Sequence, residues 1–507
     1  MSPAAVTDRL ALTSLLAPLA GDAEHGIHYR DEFASWRDHL ATAQQWARVL
    51  GSVLSPTRPP HVGVLLPNVP EFSVLFAAAA MSDVVLVGLN PTRRGAALAD
   101  DIARSDCQLV LTGHGLGGLI TESGTTAPTF DVAGHAWAEL LAAHPAPPAP
   151  VAVPEADPDA LLMLIFTSGT TGAPKAVRCS QRKFAAAGAM LAERFRIGAD
   201  DVVYLSMPMF HSNALIAGWS VAAAGGASIA LRERFSASGF GDDVRRYGVT
   251  YANYVGKPLH YILTTPERSD DAQTSLRLMY GNEATAADRA EFERRFGARV
   301  VDGFGSTEGG VSITRTPETP DDALGPLRGP VAVVDPDTLA AVPAGTVGEI
   351  VNSSGAGLFD GYYRDEEATA ERLRGGFYRT GDLGWVDEAG FVHFAGRTGD
   401  WLRVDGENLG TTPIEQILRR HPQIVDCAVF GVPREIGDDV GAALVAPGLT
   451  LESLTGFLAA QSDLGPKQRP TAVWIVDDLP QTATFKVRRS ELVTSLGTPT
   501  WELPPVR

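Results

Sequence analysis

At 507 residues the chain is too long for one ordinary core, and length alone suggests roughly three units of about 150 residues merging into two domains. Hydrophobic residues make up 45% and charged ones 20%, which excludes a disordered or fibrous chain. The formal charge of −18 argues against a nucleic-acid partner, which needs clustered Lys and Arg, and against broad adsorption to anionic membrane.

Asp8 and Arg9 interrupt the short apolar runs at the N-terminus, which makes a poor signal peptide. Apolar runs at 61–66 and 107–112 alternate with Ala-rich helical stretches such as 71–81. That is the pattern of βαβ units on a largely parallel sheet. Six prolines between 145 and 158 predict a linker separating two lobes, because proline fixes φ and removes a donor. Short buried strands resume at 161–166, 201–207, 227–231, 276–280 and 299–305. The long uncharged run from Ala214 to Leu231 contains Gly225 and Gly226 and reads as a buried helix followed by a strand, not a membrane span. From about Ala332 short strands with turn residues predict a β-rich subdomain. Beyond Gly396 the order helix (413–422), strand (425–433), strand (441–447), helix (451–461), strand (472–480) predicts a small α+β domain.

Cys107, Cys179 and Cys427 are far apart and form no CxxC pair. Neither a zinc site nor a disulfide framework is readable, and inert packing in a reducing cytoplasm is expected.

The strongest local pattern runs Thr167-Ser168-Gly169-Thr170-Thr171-Gly172-Ala173-Pro174-Lys175, entered from the apolar strand at 161–166. Two glycines permit close approach to an anion, hydroxyls and amides supply donors, and the lysine supplies charge. No Ser or Thr follows the lysine, and 176–179 reads as a strand, so this is a phosphate loop but not a Walker loop. Gly113-His114-Gly115-Leu116-Gly117-Gly118 fits GxGxxG, yet the Gly and Pro that follow leave no long helix for a dinucleotide. No GxSxG or HExxH occurs.

The phosphate loop resembles that of the adenylate-forming superfamily, and the likeness continues down the chain. Pro208-Met209-Phe210-His211, Gly303-Phe304-Gly305-Ser306-Thr307-Glu308, Tyr378-Arg379-Thr380-Gly381-Asp382, Gly396-Arg397 and Lys486 follow in the superfamily's order. Three further segments, 253–263, 280–283 and 404–412, resemble the very-long-chain acyl-CoA synthetase (fatty-acid transport protein) branch and actinobacterial fatty-acid–CoA ligases. The resemblance implies an α/β fold: a large N-terminal domain (1–397) of two βαβ-type lobes plus a β-rich subdomain (about 332–397), a hinge at 398–400, and a small mobile α+β C-terminal domain (401–507).

It also implies roles. Thr167, Ser168, Gly169, Thr170, Thr171, Gly172 and Lys175 would cradle ATP phosphates. Gly281, Asn282, Phe304, Gly305 and Ser306 would form the nucleotide side, with Phe304 on adenine. Thr307 and Glu308 would serve phosphate and Mg²⁺ through hard oxygen ligands. Asp382 would accept the ribose hydroxyls, and Arg397 would hold ribose or phosphate, with a surface ion pair as the alternative. His211 would line the acyl or thiol entrance, a structural histidine remaining the alternative. Tyr254, Val255 and Gly256 would line an acyl tunnel, small Gly256 leaving room, unless 253–263 is a core element. Lys486 would stabilise shifting charge during adenylation. Gly406, Glu407 and Asn408 would face coenzyme A.

The implied function is an ATP-dependent fatty-acid–CoA ligase using ATP, Mg²⁺ and coenzyme A. It would be cytoplasmic, without a nucleic-acid partner or membrane span; a homodimer and peripheral membrane contact are compatible with it. An acyl-AMP ligase serving a separate carrier protein, or a lipid-binding protein that has lost catalysis, are the alternatives. Gly399 stands where many relatives carry Asp or Lys, which leaves the hinge pivot open, and the hydrophobic anchor of membrane-bound relatives is not visible.

Overall fold

The computed structural model describes residues 10–167, 174–397, 401–404, 407–434, 438–481 and 487–504. They divide into two compact units, one of residues 1–314 and 356–371, the other of 315–355 and 372–507.

The first unit is built on two mostly parallel sheets. One has six strands in the order Thr129–Asp131, Leu109–Thr112, His61–Leu65, Val85–Gly88, Leu161–Thr167 and Lys175–Ser180, the last pair antiparallel. The other has eight, in the order Ser312–Thr314, Arg299–Gly305, Leu278–Asn282, Tyr251–Val255, Val202–Leu205, Ser228–Leu231, Gly26–Tyr29 and Glu32–Ser35. The central strands are buried along their length, as strands covered on both faces must be.

The proline-rich segment therefore does not divide the two sheets as the sequence suggests. Leu161–Thr167, beyond the linker, pairs in parallel with Val85–Gly88 before it, and Gly26–Tyr29 pairs with Ser228–Leu231. Parallel pairing needs only a crossover of sufficient length, so sheet membership follows apolar faces and not chain neighbourhood. The Ala214–Leu231 run is a buried helical stretch and a strand, with a π-helical turn at Leu215–Trp219 inside it. Among the described residues no helix is long and apolar enough to cross a membrane.

In the second unit an antiparallel sheet orders Ala323–Pro326, Phe391–Arg397, Phe377–Val386, Gly348–Asn352 and Val331–Val334, with Leu373–Arg374 on Phe377–Val386. The β-rich part thus starts earlier than Ala332, and 356–371 belongs to the other unit, because Tyr362 bridges Val177 on the edge strand of the six-stranded sheet. The same unit carries a four-stranded sheet of Asp426–Pro433, Asp438–Val445, Ala472–Ile475 and Trp501–Glu502. Helices Thr411–Leu418 and Leu451–Ala460 supply Ile414, Leu418, Leu454 and Leu458 to its core.

Candidate active site

Open parallel sheets bind ligands beyond the carboxyl ends of their strands, and three of the candidate residues stand at such ends in the first unit. Val255, Asn282 and Gly305 are each the last residue of adjacent strands in the eight-stranded sheet. The next turn, closed by the Gly309 amide on the Ser306 carbonyl at 3.0 Å, carries Thr307 and Glu308. Gly309 has φ +74°, a left-handed conformation suited to glycine.

Glu308 is only 8% exposed, and its Oε1 accepts from the Tyr362 hydroxyl at 3.0 Å. The Thr307 hydroxyl lies 2.9 Å from that of Ser212, which opens the short helix directly after His211. The His211 ring lies tilted at 42° beside that of Phe210, with 4.2 Å between centroids. Phe304 pairs with Ile313 across antiparallel strands and is half-buried.

Thr167 and Lys175 are cross-strand partners at the ends of two antiparallel strands. Lys175 Nζ stands 5.3 Å from the centre of the Tyr362 ring, a cation–π distance. Ser168, Gly169, Thr170, Thr171 and Gly172 lie outside the described residues.

Tyr254 departs from its expected role. Its ring is wholly buried in a cluster with Ala252, Leu259, Met279 and Val300, and its hydroxyl donates to Asp302, which also meets Arg289 at 3.1 Å. Burial, reinforced by the Asp302 charge, holds the phenol well above its ordinary range, so it remains a donor. The side chain is a core element and not a tunnel wall. Gly281 faces Tyr254 across the parallel register, and a Cβ there would lie 2.6 Å from Tyr254 Cγ; the glycine admits the ring. Gly256 has φ +67° and donates its amide to the Asn282 carbonyl at 2.9 Å, a backbone geometry that by itself favours glycine. Val255 is 7% exposed.

In the second unit Asp382 and Arg397 are cross-strand partners, with Arg397 Nε donating to Asp382 Oδ1 at 2.8 Å. Arg397 thus forms an ion pair with a carboxylate that is itself buried. Lys486, Gly406 and the hinge residues 398–400 lie outside the described residues. Glu407 and Asn408 belong to the strand Glu407–Gly410, which pairs antiparallel with Trp401–Val404.

Two residues escaped sequence reasoning. Glu349 accepts from Arg379 Nε at 2.7 Å and from the Gly381 amide at 2.9 Å, fixing the turn that presents Asp382. A lone carboxylate inside the apolar strand Gly348–Asn352 was the available sign. Tyr362, the partner of Glu308, carries no comparable mark in the sequence beyond following Gly361.

A model of the AMP-binding enzyme family matches residues 18–363, and one of the AMP-binding enzyme C-terminal domain matches 413–486. The chain belongs to the AMP-binding enzyme family. It is 54% identical over 485 residues to the medium/long-chain-fatty-acid–CoA ligase FadD17 of Mycobacterium tuberculosis, covering 95% of each chain. It is 42% identical over 508 residues to the steroid-22-oyl-CoA synthetase of Rhodococcus jostii, covering 96% of this chain and 91% of that one. Among solved structures, ATP-bound MatB from Rhodopseudomonas palustris superimposes with a TM-score of 0.83 at 26% identity, over 95% and 98% of the two chains. The α/β fold of an adenylate-forming enzyme, expected from the sequence, is thereby borne out.

Proposed function

We propose that the protein joins a medium- or long-chain fatty acid to coenzyme A through an acyl-adenylate. The protein is an AMP-forming acid–thiol ligase, and the observation that carries the substrate class is its 54% identity, along 95% of both chains, to a ligase of that description.

A carboxylate resists thiol attack because oxide is a poor leaving group. Its oxygen first attacks the α-phosphorus of ATP; the bond to pyrophosphate breaks, leaving a mixed anhydride with AMP. The thiolate of coenzyme A then attacks the acyl carbon and AMP departs, the thiol proton going to solvent. Lys175 and the phosphate loop hold the triphosphate, and Lys486 offsets charge as it moves from carboxylate to phosphate. Thr307 donates to phosphate, Phe304 and Asn282 face the base, and Asp382 with Arg397 holds the ribose. His211 lines the way in for acid or thiol, and Gly406 to Asn408 meets coenzyme A.

A Mg²⁺ ion fits Glu308: a hard carboxylate, tied through one oxygen to Tyr362, is the ligand type Mg²⁺ takes together with phosphate oxygens and water. When bound it neutralises charge on the departing pyrophosphate.

The test is pyrophosphate release from Mg·ATP with short, medium, long and sterol-like acids, each with and without coenzyme A. Acyl-CoA formed from medium or long chains supports the proposal. Activity confined to sterol-side-chain acids would shift the substrate class toward that of the 42% relative. Release without thioester would replace coenzyme A by a carrier protein.

A further inference from the structure

We propose that Tyr362 is a positioning residue that keeps the Lys175 ammonium and the Glu308 carboxylate apart, so that both remain free for Mg·ATP. The inference rests on the ATP-dependent reading above.

Tyr362 is held more firmly than a loop tyrosine needs to be. The Arg178 amide donates to the Gly361 carbonyl at 2.9 Å, and the Tyr363 amide to the Ala176 carbonyl at 2.8 Å. These bonds lay 361–363 along the edge strand that leaves the phosphate loop, with Tyr362 opposite Val177. The Tyr362 amide donates to Thr369 Oγ1 at 2.9 Å. On its other side, Tyr363 Oη donates to Asp106 Oδ2 at 2.7 Å and Arg364 to Asp106 Oδ1 at 2.9 Å. Residues locked by packing and hydrogen bonds hold a neighbouring site to sub-ångström geometry.

From this mount the side chain makes two different contacts. Its hydroxyl donates to Glu308 Oε1, while its ring face carries Lys175 Nζ at 5.3 Å. A buried carboxylate and a nearby ammonium attract strongly in a low-dielectric setting. Direct pairing would consume both charges, yet among the described residues no ion pair joins Lys175 to Glu308. The phenol supplies what each would otherwise seek in the other: a hydrogen-bond donor for the anion and a negative ring face for the cation. The charges stay close, oriented and unspent.

Substitution separates the two contacts. Tyr362→Phe keeps the spacer and loses the hydroxyl; Tyr362→Leu loses the hydroxyl and the ring. Binding of Mg·ATP to the full chain is measured by calorimetry without acid or coenzyme A, alongside a Mg²⁺ titration and the fatty-acid KM. Tyr362→Phe is expected to weaken Mg·ATP by about tenfold and raise the half-saturating Mg²⁺, with the fatty-acid KM unchanged. In a Glu308→Gln background the same substitution should have little further effect, because its partner charge is gone. Tyr362→Leu should weaken Mg·ATP further. Wild-type affinity in both variants would overturn the inference, and so would equal losses for Mg·ATP and fatty acid, which mark a merely structural residue. A wild-type chain that does not bind Mg·ATP at all would remove the ligase reading and this inference with it.

Discussion

Arg397 Nε lies 2.8 Å from Asp382 Oδ1, a half-exposed guanidinium capping a carboxylate that is only 7% exposed in its side chain. Asp382→Ala is expected to raise the KM for ATP by at least about tenfold, the loss of a charge-assisted bond pair, with the fatty-acid KM unchanged. Arg397→Ala should raise the ATP KM less. An unchanged ATP KM in Asp382→Ala would remove the ribose role.

Glu349 is 2% exposed and ties Arg379 and the Gly381 amide to one carboxylate. Removing one partner of a buried charge pair costs about 3–5 kcal/mol, so Glu349→Ala should show that loss in urea denaturation. It should also raise the ATP KM, because the turn carrying Asp382 loosens; Glu349→Gln should retain part of both.

Lys486→Ala is expected to slow acyl-adenylate formation by about 10²–10³, the usual cost of removing a preorganised transition-state charge. Conversion of synthetic acyl-AMP and coenzyme A to thioester should persist. The two half-reactions are read separately by pyrophosphate exchange and by thioester yield, and wild-type exchange in the variant would end the assignment.

Gly281→Ala places a methyl against Tyr254, whose Cγ and Cδ1 lie 2.6 and 2.7 Å from that position, with the Tyr254 carbonyl also in the way. Overpacking of this kind costs about 1–3 kcal/mol. The urea midpoint should fall accordingly, and Gly281→Ala combined with Tyr254→Leu should recover part of the loss by vacating the ring.

His39 is wholly buried, and burial pushes its imidazole down to about 4. The Ser73 hydroxyl, which accepts from Trp219 Nε1 at 2.7 Å, sits 3.1 Å from His39 Nε2. The folded value lies below the unfolded value of 6.5, so the unfolded chain binds more protons between the two. Stability from a neutral His39 is complete above pH 6.5 and falls by up to about 1.4 kcal/mol per pH unit toward pH 4. His39→Gln should flatten the decline of the urea midpoint across that window; an unchanged slope would show that His39 does not contribute.

Much of the fold was legible because its signals are local. Apolar runs bounded by turn residues marked the strands at 61–66, 161–166 and 299–305, and each appears in place. The order of the C-terminal elements was legible too: helix Thr411–Leu418, strands Asp426–Pro433 and Asp438–Val445, helix Leu451–Ala460 and strand Ala472–Ile475 follow as expected. Glu308 and Lys175 could be picked out as candidates because a charged residue close to glycines is a local mark.

What each side chain faces was not legible. Tyr254 lies in a strand buried along its whole length, and its hydroxyl reaches Asp302, 48 residues away in sequence. Tyr362 reaches Glu308 across 54 residues, and only the return of 356–371 to the first unit makes that possible. The sequence by itself determined the elements, the family and the charged groups, since propensity, period and motif spacing are short-range properties. Sheet order across the proline segment, the pairing of Asp382 with Arg397 and the placement of Tyr362 between two charges were decided by tertiary structure, because partners distant in the chain meet only when apolar faces are buried together.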